Sequence, residues 1–579
     1  MPATTWREEL MSEKFETARN FLLNHARDHE KACREFRWPE LDTFNWALDW
    51  FDHVASGPRS RQTALWVIDE SGHGTKRTFK ELSERSSQVA NYFRSLGVKR
   101  ADRMMLMLGN IPALWEIILG AMKVGVVVTP TTTLLTGNEL AERIHRGGIR
   151  HIVADSEYAA RFPSESSECT RIAVGSSVPG WHAYGESEGA ATRFEPTGPT
   201  SANDPLQLYF TSGTTSKPKL VVHSHTTYPV GHLSTMYWIG LRPGDIHCNV
   251  SAPGWAKHAW SCVFAPWNAE ATVFVVNQRR FNAKSLLDAL VSANVTTFCA
   301  PPTVWRMLVL EELGAFKTNL REVVSAGEPL NPEIITNVQQ AWGLTIREGY
   351  GQTETTALVG CPPGEPVKAG SMGKTLPGYQ TLILDSNNVE ATEGELCVAL
   401  EPRPTGVMIG YQQDDGTTAR LHGAFHRTGD VVSRATEGHL TFIGRADDVF
   451  KSSDYRLSPF ELESALIEHP EVVECAVVPS PDPLRLAIPK AFIVVKPGTS
   501  ASRETALSIF QHVRRILAPY KRVRIIEFSE LPKTISGKIR RVELRKIEAV
   551  KVRSGEKGPL EFREEDFPEL GNGPRIERI

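Results

Sequence analysis

Residues 211–219 form a segment dense in hydroxyl groups, Thr-Ser-Gly-Thr-Thr-Ser-Lys-Pro-Lys, which follows an apolar segment and precedes a β-rich one. Hydroxyl and backbone N–H groups can surround phosphate oxygens, and lysine supplies positive charge. The spacing of glycine and lysine differs from that of a Walker A loop, and Pro218 blocks the helix that such a loop needs. The composition favours a phosphate-binding loop of another type, with a solvated Ser/Thr-rich hairpin turn as the alternative.

Five further segments combine charged or hydrogen-bonding side chains with glycine turns. Each is weak evidence when taken singly, because an acid after glycine usually lies in a turn and a single surface lysine is usually solvated. In chain order they are Ser-Ala-Gly-Glu-Pro-Leu at 325–330, Glu-Gly-Tyr-Gly-Gln-Thr-Glu-Thr at 348–355, His-Arg-Thr-Gly-Asp at 426–430, Gly-Arg-Ala-Asp-Asp-Val-Phe-Lys at 444–451 and Leu-Pro-Lys-Thr-Ile-Ser-Gly-Lys-Ile-Arg-Arg at 531–541.

In this order, the segments resemble the motifs of the acyl-adenylate-forming superfamily, which includes acyl-CoA synthetases, non-ribosomal peptide adenylation domains and firefly luciferase. The resemblance extends from about residue 78 to residue 541. It implies the α/β fold of adenylate-forming enzymes: a large N-terminal AMP-binding domain of several subdomains at 1–445, a small mobile C-terminal α+β domain at 446–550, and an active site in the cleft between them. Residues 551–579 are polar and rich in Pro and Gly, so we expect an extended or disordered tail.

The resemblance also implies roles for individual positions. Residues 211–219 match the loop that holds the β- and γ-phosphates of ATP, Asp430 matches the acid that binds the ribose hydroxyls, and Asp447 falls on the hinge position. The implied nucleotide-binding residues are Thr211, Ser212, Gly213, Thr214, Thr215, Lys219, Gly327, Glu328, Tyr350, Gln352, Asp430 and Arg445. The implied catalytic residues are Lys538, Arg456, Glu354 and Thr353, and the implied Mg²⁺ ligands are Glu354 and Thr211.

These residue types suit a reaction in which a carboxylate attacks the α-phosphorus of ATP. The product, an acyl-AMP, has AMP as its leaving group, whereas the free carboxylate would have to expel oxide. Because the attack brings two anions together, Lys538, Arg456 and a Mg²⁺ ion on Glu354 would stabilise the developing charge. In a second step the thiol of coenzyme A attacks the acyl carbon, which requires Lys538 to withdraw. A hinge at Asp447 would permit this domain alternation.

Two features resemble acyl-CoA synthetases of the medium-chain type and predict a role in fatty acid metabolism. Leu220 stands where many relatives have Gly, and residues 253–260 resemble their Gly-Trp-Ala-Lys segment near the acyl pocket. Acetate-specific relatives carry Trp at the position of Gly351, so we expect room for a medium-chain, branched or aromatic acyl group, unless Gly351 only serves a tight turn. His258 fits a pocket wall or a core position equally. The predicted pocket consists of Trp255, His258, Ala300, Gly349 and Gly351.

One departure from the family pattern concerns the second step. Asp454 stands where the pattern Lys-x-x-Gly-Tyr/His-Arg has glycine, along the channel for the pantetheine arm of coenzyme A. The leading hypothesis is an acid:CoA ligase. An alternative is an adenylating enzyme that passes the acyl group to a carrier-protein thiol or another acceptor. A third hypothesis is a degenerate nucleotide-binding protein, against which the presence of Lys538, Glu354 and Asp430 counts.

The elements that must position these residues show helix and strand patterns typical of α/β domains. Phe79, Leu82, Val89 and Phe93 recur at helical spacing and predict a helix over 77–96. Strands at 104–108 and 126–130, with a helix at 114–124 between them, predict a parallel βαβ unit. In the C-terminal part we predict helices beginning at Ser458 and spanning 503–517, and strands at 475–478, 490–495 and 523–528. The first sixty residues are expected to be helical.

The composition excludes several classes of protein. With 579 residues and a net charge of −3, the chain lacks the basic surface that nucleic-acid binding needs. Its eight cysteines contain no C-x-x-C pair, so a zinc ribbon or thioredoxin-type motif is absent, and the sparse cysteine content suits a reducing compartment. The N-terminus lacks a signal-peptide core, and the most apolar stretch, 113–130, contains Glu116 and Lys123 and predicts no membrane span. We expect a cytoplasmic protein, and the sequence leaves a homodimer open.

Overall fold

The computed structural model describes residues 3–163, 166, 168–211, 218–453, 455–533 and 538–571, with side chains from residue 12 onward except that of Arg456. The chain divides into two compact units. Unit 1 comprises Met1–Leu382, Cys397–His426 and Ala435–Thr441, and unit 2 comprises Ile383–Leu396, Arg427–Arg434 and Phe442–Ile579. The longest segment of unit 2 therefore begins near the predicted boundary at 445.

The N-terminal region of the described chain is helical, as expected. None of the helices, within the described residues, is both long and apolar enough to cross a bilayer. The α-helices are α1 Ala3–Asn24, α2 His29–Glu35, α3 Asp52–Ser56, α4 Phe79–Ser95, α5 Pro112–Val124, α6 Gly137–Gly147, α7 Leu233–Ile239, α8 Ala256–Ala259, α9 Ala265–Asn268, α10 Ala283–Ser292, α11 Pro302–Leu308, α12 Pro332–Trp342, α13 Pro459–Ile467, α14 Arg503–Ile516 and α15 Arg541–Ser554.

The strands alternate with these helices along most of the chain. They are β1 Thr63–Ile68, β2 Gly74–Thr78, β3 Arg103–Met107, β4 Val127–Pro130, β5 His151–Asp155, β6 Thr170–Val174, β7 His182–Ala183, β8 Pro205–Thr211, β9 Lys219–Ser224, β10 Ile246–Asn249, β11 Thr272–Val276, β12 Thr297–Ala300, β13 Glu322–Ala326, β14 Arg347–Gly351, β15 Ala357–Gly360, β16 Lys374–Thr375, β17 Thr381–Leu384, β18 Glu393–Ala399, β19 Gly410–Gln412, β20 Thr418–Arg420, β21 Phe425–Arg434, β22 Leu440–Arg445, β23 Phe450–Ser452, β24 Tyr455–Leu457, β25 Val472–Asp482, β26 Leu486–Val495, β27 Ile525–Phe528 and β28 Glu561–Arg563.

Two nine-stranded sheets organise the described part of unit 1. The first has the order β16-β15-β14-β13-β12-β10-β11-β1-β2, and the second has the order β20-β19-β9-β8-β4-β3-β5-β6-β7. Parallel pairing joins β10, β12, β13 and β14 in the first sheet and β4, β3, β5 and β6 in the second. The smaller sheets have the orders β17-β18-β21-β22, β23-β24 and β25-β26-β27-β28. The predicted α/β class is confirmed.

Local sequence signals explain where several elements begin. Thr78 and Glu81 form a capping box at the start of α4, with Glu81 N donating to Thr78 Oγ1 at 3.2 Å. Ser458 Oγ accepts from Glu461 N at 3.1 Å at the start of α13. Strands β3 and β4 flank α5 and pair in parallel, so the predicted βαβ unit is confirmed.

The expectation of an extended or disordered tail from residue 551 is wrong for its described part, which continues to Gly571. Helix α15 ends at Ser554, and β28 pairs antiparallel with β27. The ring of Phe567 is buried and lies 5.4 Å from that of Phe510, between centroids. The polar composition of this segment gives no sign of these core contacts, or of strand β28, which completes the sheet of unit 2.

A buried ammonium group joins the strands and the last helix of unit 2. Lys490 Nζ lies 2.8 Å from Glu527, 2.5 Å from Glu548 and 2.8 Å from Glu561, between Nζ and the Oε2 atoms. Burial opposes the charge of Lys490, but the hydrogen bonds that its ammonium donates to the three carboxylates outweigh this effect and raise the pKa of the ammonium. The ammonium occupies the centre of this acidic cluster, so the cluster is a structural ion network.

Several histidines of unit 1 are buried and neutral. Burial lowers the pKa of each, because the charged imidazolium loses its hydration. The pKa falls to about 3 for His223, His247 and His258, to about 4 for His225, and well below its ordinary value for His232. Neither ring nitrogen of His225 has a hydrogen-bond partner in the described part of the chain.

We predict that Lys490→Met destabilises unit 2 by about 3–5 kcal/mol, because it leaves three carboxylates buried together without their cation. Hydrogen exchange of the amides of β25, β26 and β27 measures this, with loss of protection expected. Lys496→Met, at an exposed position at the end of β26, is the matched control and should exchange like the unmodified protein. Unchanged protection in Lys490→Met would contradict the assignment.

We also predict that unit 1 loses stability as pH falls from about 6.5 to 4.5. The unfolded chain then binds protons on these histidines while the folded chain does not, so protons favour unfolding. His225→Phe removes one such group, and the slope should become shallower by about 1.4 kcal/mol per pH unit. All 13 tryptophans lie in unit 1, so tryptophan fluorescence during denaturant unfolding reports this unit.

The matched control for this titration is His182→Phe, in which the exposed histidine of β7 is removed. It shows whether replacing a solvent-exposed histidine by phenylalanine changes the slope by itself. Equal slopes for His225→Phe and the unmodified protein would show that His225 binds its proton in the folded state as well.

Candidate functional site

The carboxyl ends of four adjacent parallel strands, β10, β12, β13 and β14, meet at one edge of the first sheet. In open α/β sheets ligands bind outside this edge. The fold therefore brings the predicted adenine-binding and acyl-pocket residues of unit 1 to the same edge. In chain order they are Trp255, His258, Ala300, Gly327, Glu328, Gly349, Tyr350 and Gly351.

The segment that follows β13 is tied to its neighbour β14 by a buried acid. Gly327 has a φ of 113°, which suits the turn that leaves the strand. Glu348 Oε1 accepts from Leu330 N at 2.9 Å, and burial raises the pKa of the Glu348 carboxyl to about 7. Glu328 is exposed, with Arg306 3.8 Å away. Glu348 was not among the predicted site residues, although its segment was singled out.

Residues 352–354 connect the first sheet to the second. His223 Nε2, on β9, donates to the carbonyl oxygen of Thr353 at 2.7 Å, and Met408 N donates to that of Glu354 at 2.8 Å. The neutral ring of His223 fits this role, because Nδ1 is then free to accept from Thr227 Oγ1 at 3.1 Å. These contacts fix the position of Glu354 relative to β9, the strand that follows the predicted phosphate loop.

The two strands that flank the predicted phosphate loop form an antiparallel pair in which Thr211 lies opposite Lys219. Thr211 Oγ1 donates to the carbonyl oxygen of Lys219 at 3.4 Å. Arg146 Nη2 donates to the carbonyl oxygen of Pro218 at 3.0 Å and so anchors the second end of the loop. The loop residues themselves, Ser212, Gly213, Thr214 and Thr215, lie outside the described residues.

Lys219 and Glu354, which carry opposite charges, meet at one tyrosine of β19. Tyr411 Oη donates to Glu354 Oε1 at 2.9 Å, and Lys219 Nζ lies 5.0 Å from the centroid of the Tyr411 ring. A cation at this distance is attracted to the face of the ring. The structure therefore brings together two residues that were predicted separately, through a third that was not predicted.

Gly351 lies against an aromatic side chain from another segment. A Cβ atom at this position would overlap the ring of Trp260 and the carbonyl of Thr356. Trp260 is buried, and its Nε1 donates to Tyr228 Oη at 3.0 Å, which fixes the plane of the ring. The expectation that glycine leaves room at this point is therefore corrected: the space is filled by Trp260, which the sequence did not single out.

The other pocket residues are tightly packed. A Cβ atom on Gly349 would overlap Trp238, whose Nε1 donates to the carbonyl oxygen of Glu348 at 2.9 Å. His258 is buried, with its Nε2 3.0 Å from Asn110 Oδ1 and its ring 5.6 Å from that of Trp115. These contacts are those of a core histidine, the second of the two interpretations.

Unit 2 carries its own set of predicted residues. Arg445 Nη1 lies 3.0 Å from Asp430 Oδ1, and Arg445 Nε lies 3.6 Å from Asp447 Oδ1. The next residue, Asp448, forms an ion pair with Arg545 of α15. The predicted ribose-binding and hinge residues are thus linked by one arginine. Gly429, with a φ of 72°, lets the guanidinium approach the main chain, since a Cβ atom there would crowd it.

The remaining predicted residues of unit 2 lie in or next to segments that the structure does not describe. Lys538 is exposed and follows residues 534–537, which lie outside the described part. Arg456 lies on β24 opposite Lys451, but its side chain is outside the description, as is Asp454.

Four residues that carry the site were missed in the sequence: His223, Trp260, Glu348 and Tyr411. His223 lies in a β-rich segment, where the usual interpretation of such a residue is core packing. Trp260 ends the segment 253–260 that resembles the family's segment near the acyl pocket, but it was not among the predicted pocket residues. Tyr411 lies in a three-residue strand that no nearby motif marks. Glu348 begins the segment 348–355 that the sequence singled out, and its burial on β14 gives a reason to assign it a role.

Comparison with known families and proteins shows to which family the chain belongs. The family model for AMP-binding enzymes matches residues 51–412, and that for the AMP-binding enzyme C-terminal domain matches residues 461–538. The chain is 42% identical to 4-hydroxybutyrate–CoA ligase 1 of Metallosphaera sedula over 533 residues, which cover 90% of this chain and 94% of the ligase. It is 38% identical to the mitochondrial acyl-coenzyme A synthetase ACSM3 of Mus musculus over 543 residues, 90% of this chain and 94% of that one.

Solved structures show the same fold. The anthranilate CoA ligase AuaEII in complex with anthranoyl-AMP aligns with a TM-score of 0.80 at 27% identity, over 88% of this chain and 98% of the ligase. A benzoate CoA ligase from Burkholderia xenovorans LB400 aligns with a TM-score of 0.74 at 28% identity, over 87% of this chain and 100% of that one. With both family models matched in order and relatives similar over nine-tenths of its length, the chain belongs to the AMP-binding enzyme family.

Proposed function

We propose that the protein is an ATP-dependent acid:CoA ligase that activates a medium-chain, branched or aromatic carboxylic acid through an acyl-AMP. The observation that carries this proposal is the meeting of Lys219 and Glu354 at Tyr411. A cation beside the phosphate loop and an acid beside a strand end supply the two charges that a metal-bound triphosphate requires. The relatives named above are CoA ligases and acyl-CoA synthetases, which agrees with this chemistry.

In the first step a carboxylate oxygen of the acid attacks the α-phosphorus of ATP. The bond to the β-phosphate breaks, and pyrophosphate leaves with its electron pair. Lys219 and the flanking hydroxyl of Thr211 would hold the leaving phosphates, and Lys538 with Arg456 would neutralise the carboxylate and the α-phosphate. In the second step the sulfur of coenzyme A attacks the acyl carbon, the thiol proton is lost, and AMP leaves.

The donor set of unit 1 fits the Mg²⁺ ion that the family implies. Glu354 offers a carboxylate and Thr211 a hydroxyl, and oxygen ligands of this kind are those that Mg²⁺ prefers. One oxygen of Glu354 is engaged by Tyr411 at 2.9 Å, and the second oxygen of the carboxylate can serve the ion. When bound, the ion supplies charge neutralisation for the phosphates.

The acyl group would bind near Trp260. This ring fills the space beside Gly351. Acetate-specific relatives carry a tryptophan at the position of Gly351 itself, so in this chain a tryptophan wall of the acyl pocket would come from a different segment. The relatives that name their acids act on 4-hydroxybutyrate, anthranilate and benzoate, all acids of moderate size. Localisation in the cytoplasm, a homodimer and a role in fatty acid metabolism stay predictions.

A panel of acids tests the proposed function. With ATP and Mg²⁺, pyrophosphate release should require an acid such as hexanoate, 2-methylbutyrate, 4-hydroxybutyrate or benzoate, and coenzyme A should convert the acyl-AMP to a thioester, measured by mass spectrometry. Lys538→Ala should abolish acid-dependent pyrophosphate release while still forming thioester from supplied acyl-AMP. Acyl-AMP without thioester would favour a carrier-protein thiol or another acceptor. No release with any acid would contradict both enzymatic functions.

Trp260 should limit the size of the acid. Trp260→Ala opens the space beside Gly351, so the ratio of kcat/KM for octanoate to that for butyrate should rise about 10-fold or more, the effect expected for one or two methylenes in an apolar pocket. Trp181→Ala, which removes a half-buried tryptophan of unit 1 that packs on Phe162, is the matched control. An unchanged ratio in Trp260→Ala would place the acyl group elsewhere.

A further inference from the structure

Strand β19 places Tyr411 beside the two charged residues of the candidate site. Within this short strand Tyr411 lies opposite Val221 of β9, two residues after Lys219. The strand is reached from Met408, whose backbone N–H donates to the carbonyl oxygen of Glu354 at 2.8 Å. The main chain around Tyr411 is therefore anchored both to the strand that leaves the phosphate loop and to the segment that carries Glu354.

The side chain of Tyr411 contacts each charged group with a different part. Its hydroxyl donates to Glu354 Oε1 at 2.9 Å, and its ring lies 5.0 Å below the ammonium of Lys219. A phenol has one proton to donate, so it engages one carboxylate oxygen and fixes the rotation of the group. The second oxygen then has a defined direction. Hydrogen bonds of this kind orient metal ligands in many proteins.

We propose that Tyr411 is a positioning residue for the metal–ATP complex. The hydroxyl orients the carboxylate of Glu354 toward the metal ion, and the ring holds the ammonium of Lys219 toward the phosphates. The inference rests on the proposed function, because it takes Glu354 as a metal ligand and Lys219 as a phosphate contact. It goes beyond that function in assigning both orientations to one side chain, which neither reacts nor binds substrate.

The two parts of the side chain can be separated by substitution. Tyr411→Phe keeps the ring and removes the hydroxyl, so it should affect only the metal-dependent part of ATP binding. Tyr411→Leu removes both, so it should also weaken metal-free ATP binding. Tyr92→Phe is the matched control, because it removes a hydroxyl that lies 3.0 Å from a carboxylate oxygen, that of Glu186, in another part of unit 1.

The experiment is calorimetric titration of each variant with ATP, once with excess EDTA and once with saturating Mg²⁺. The unmodified protein should gain affinity when Mg²⁺ is added. In Tyr411→Phe this gain should fall about 10-fold or more, the usual effect of losing a hydrogen bond to a metal ligand, with metal-free affinity unchanged within about twofold. In Tyr411→Leu the metal-free affinity for ATP should also fall, by about 2- to 5-fold relative to the unmodified protein, which is the effect expected from losing an exposed cation–π contact. Tyr92→Phe should match the unmodified protein.

Two results would overturn the inference. The first is a gain from Mg²⁺ in Tyr411→Phe equal to that of the unmodified protein, which would show that the hydroxyl does not orient Glu354. The second is an equal loss with and without Mg²⁺, which would show that Tyr411 only packs. Failure of the proposed function looks different, because the unmodified protein would then bind no ATP or gain nothing from Mg²⁺. Circular dichroism and tryptophan fluorescence confirm that each variant is folded.

Discussion

The main chain of residues 352–354 is held between two sheets, and the geometry of the candidate site depends on this constraint. His223 supports it from β9 and Met408 supports it from the segment that leads into β19. Both donors bind carbonyl oxygens, so the course of the main chain is set without using any side chain of the segment. The side chains of Thr353 and Glu354 are therefore not needed to hold the main chain in place. A buried histidine is suited to the task because burial keeps it neutral, and a neutral ring donates through one nitrogen and accepts through the other.

Much of the local structure could be predicted from the sequence. The capping box at Thr78, the start of α13 at Ser458 and the strands on either side of α5 follow from short-range patterns that act within one turn or one strand. The motif positions could also be assigned, because they recur in one order in a known family. What the sequence did not predict depends on contacts between distant segments. Tyr411 meets Glu354 across 57 residues of chain, and Trp260 fills the space beside Gly351 from a segment about 90 residues away.

The two units are stabilised by different means. Unit 1 contains all 13 tryptophans and a large aromatic core in which rings such as Trp46, Phe51 and Trp267 contact one another. Unit 2 has a smaller apolar core and relies in addition on the ammonium of Lys490 among three carboxylates. One of these carboxylates belongs to Glu561, in the segment whose polar composition predicted a tail. The predicted tail thus contains a carboxylate that is a partner of a buried cation.

The contact between Gly351 and Trp260 has a consequence for how acyl specificity can diverge in such a protein. A Cβ atom at 351 would overlap both the ring at 260 and the main-chain carbonyl of Thr356, so a large side chain at 351 needs a small residue at 260 and a shift of that main chain as well. A substitution at 351 alone would overpack this part of the protein. Descendants that place a large side chain at 351 would therefore also change the residue at 260 and the segment around Thr356, and these positions would vary together among them.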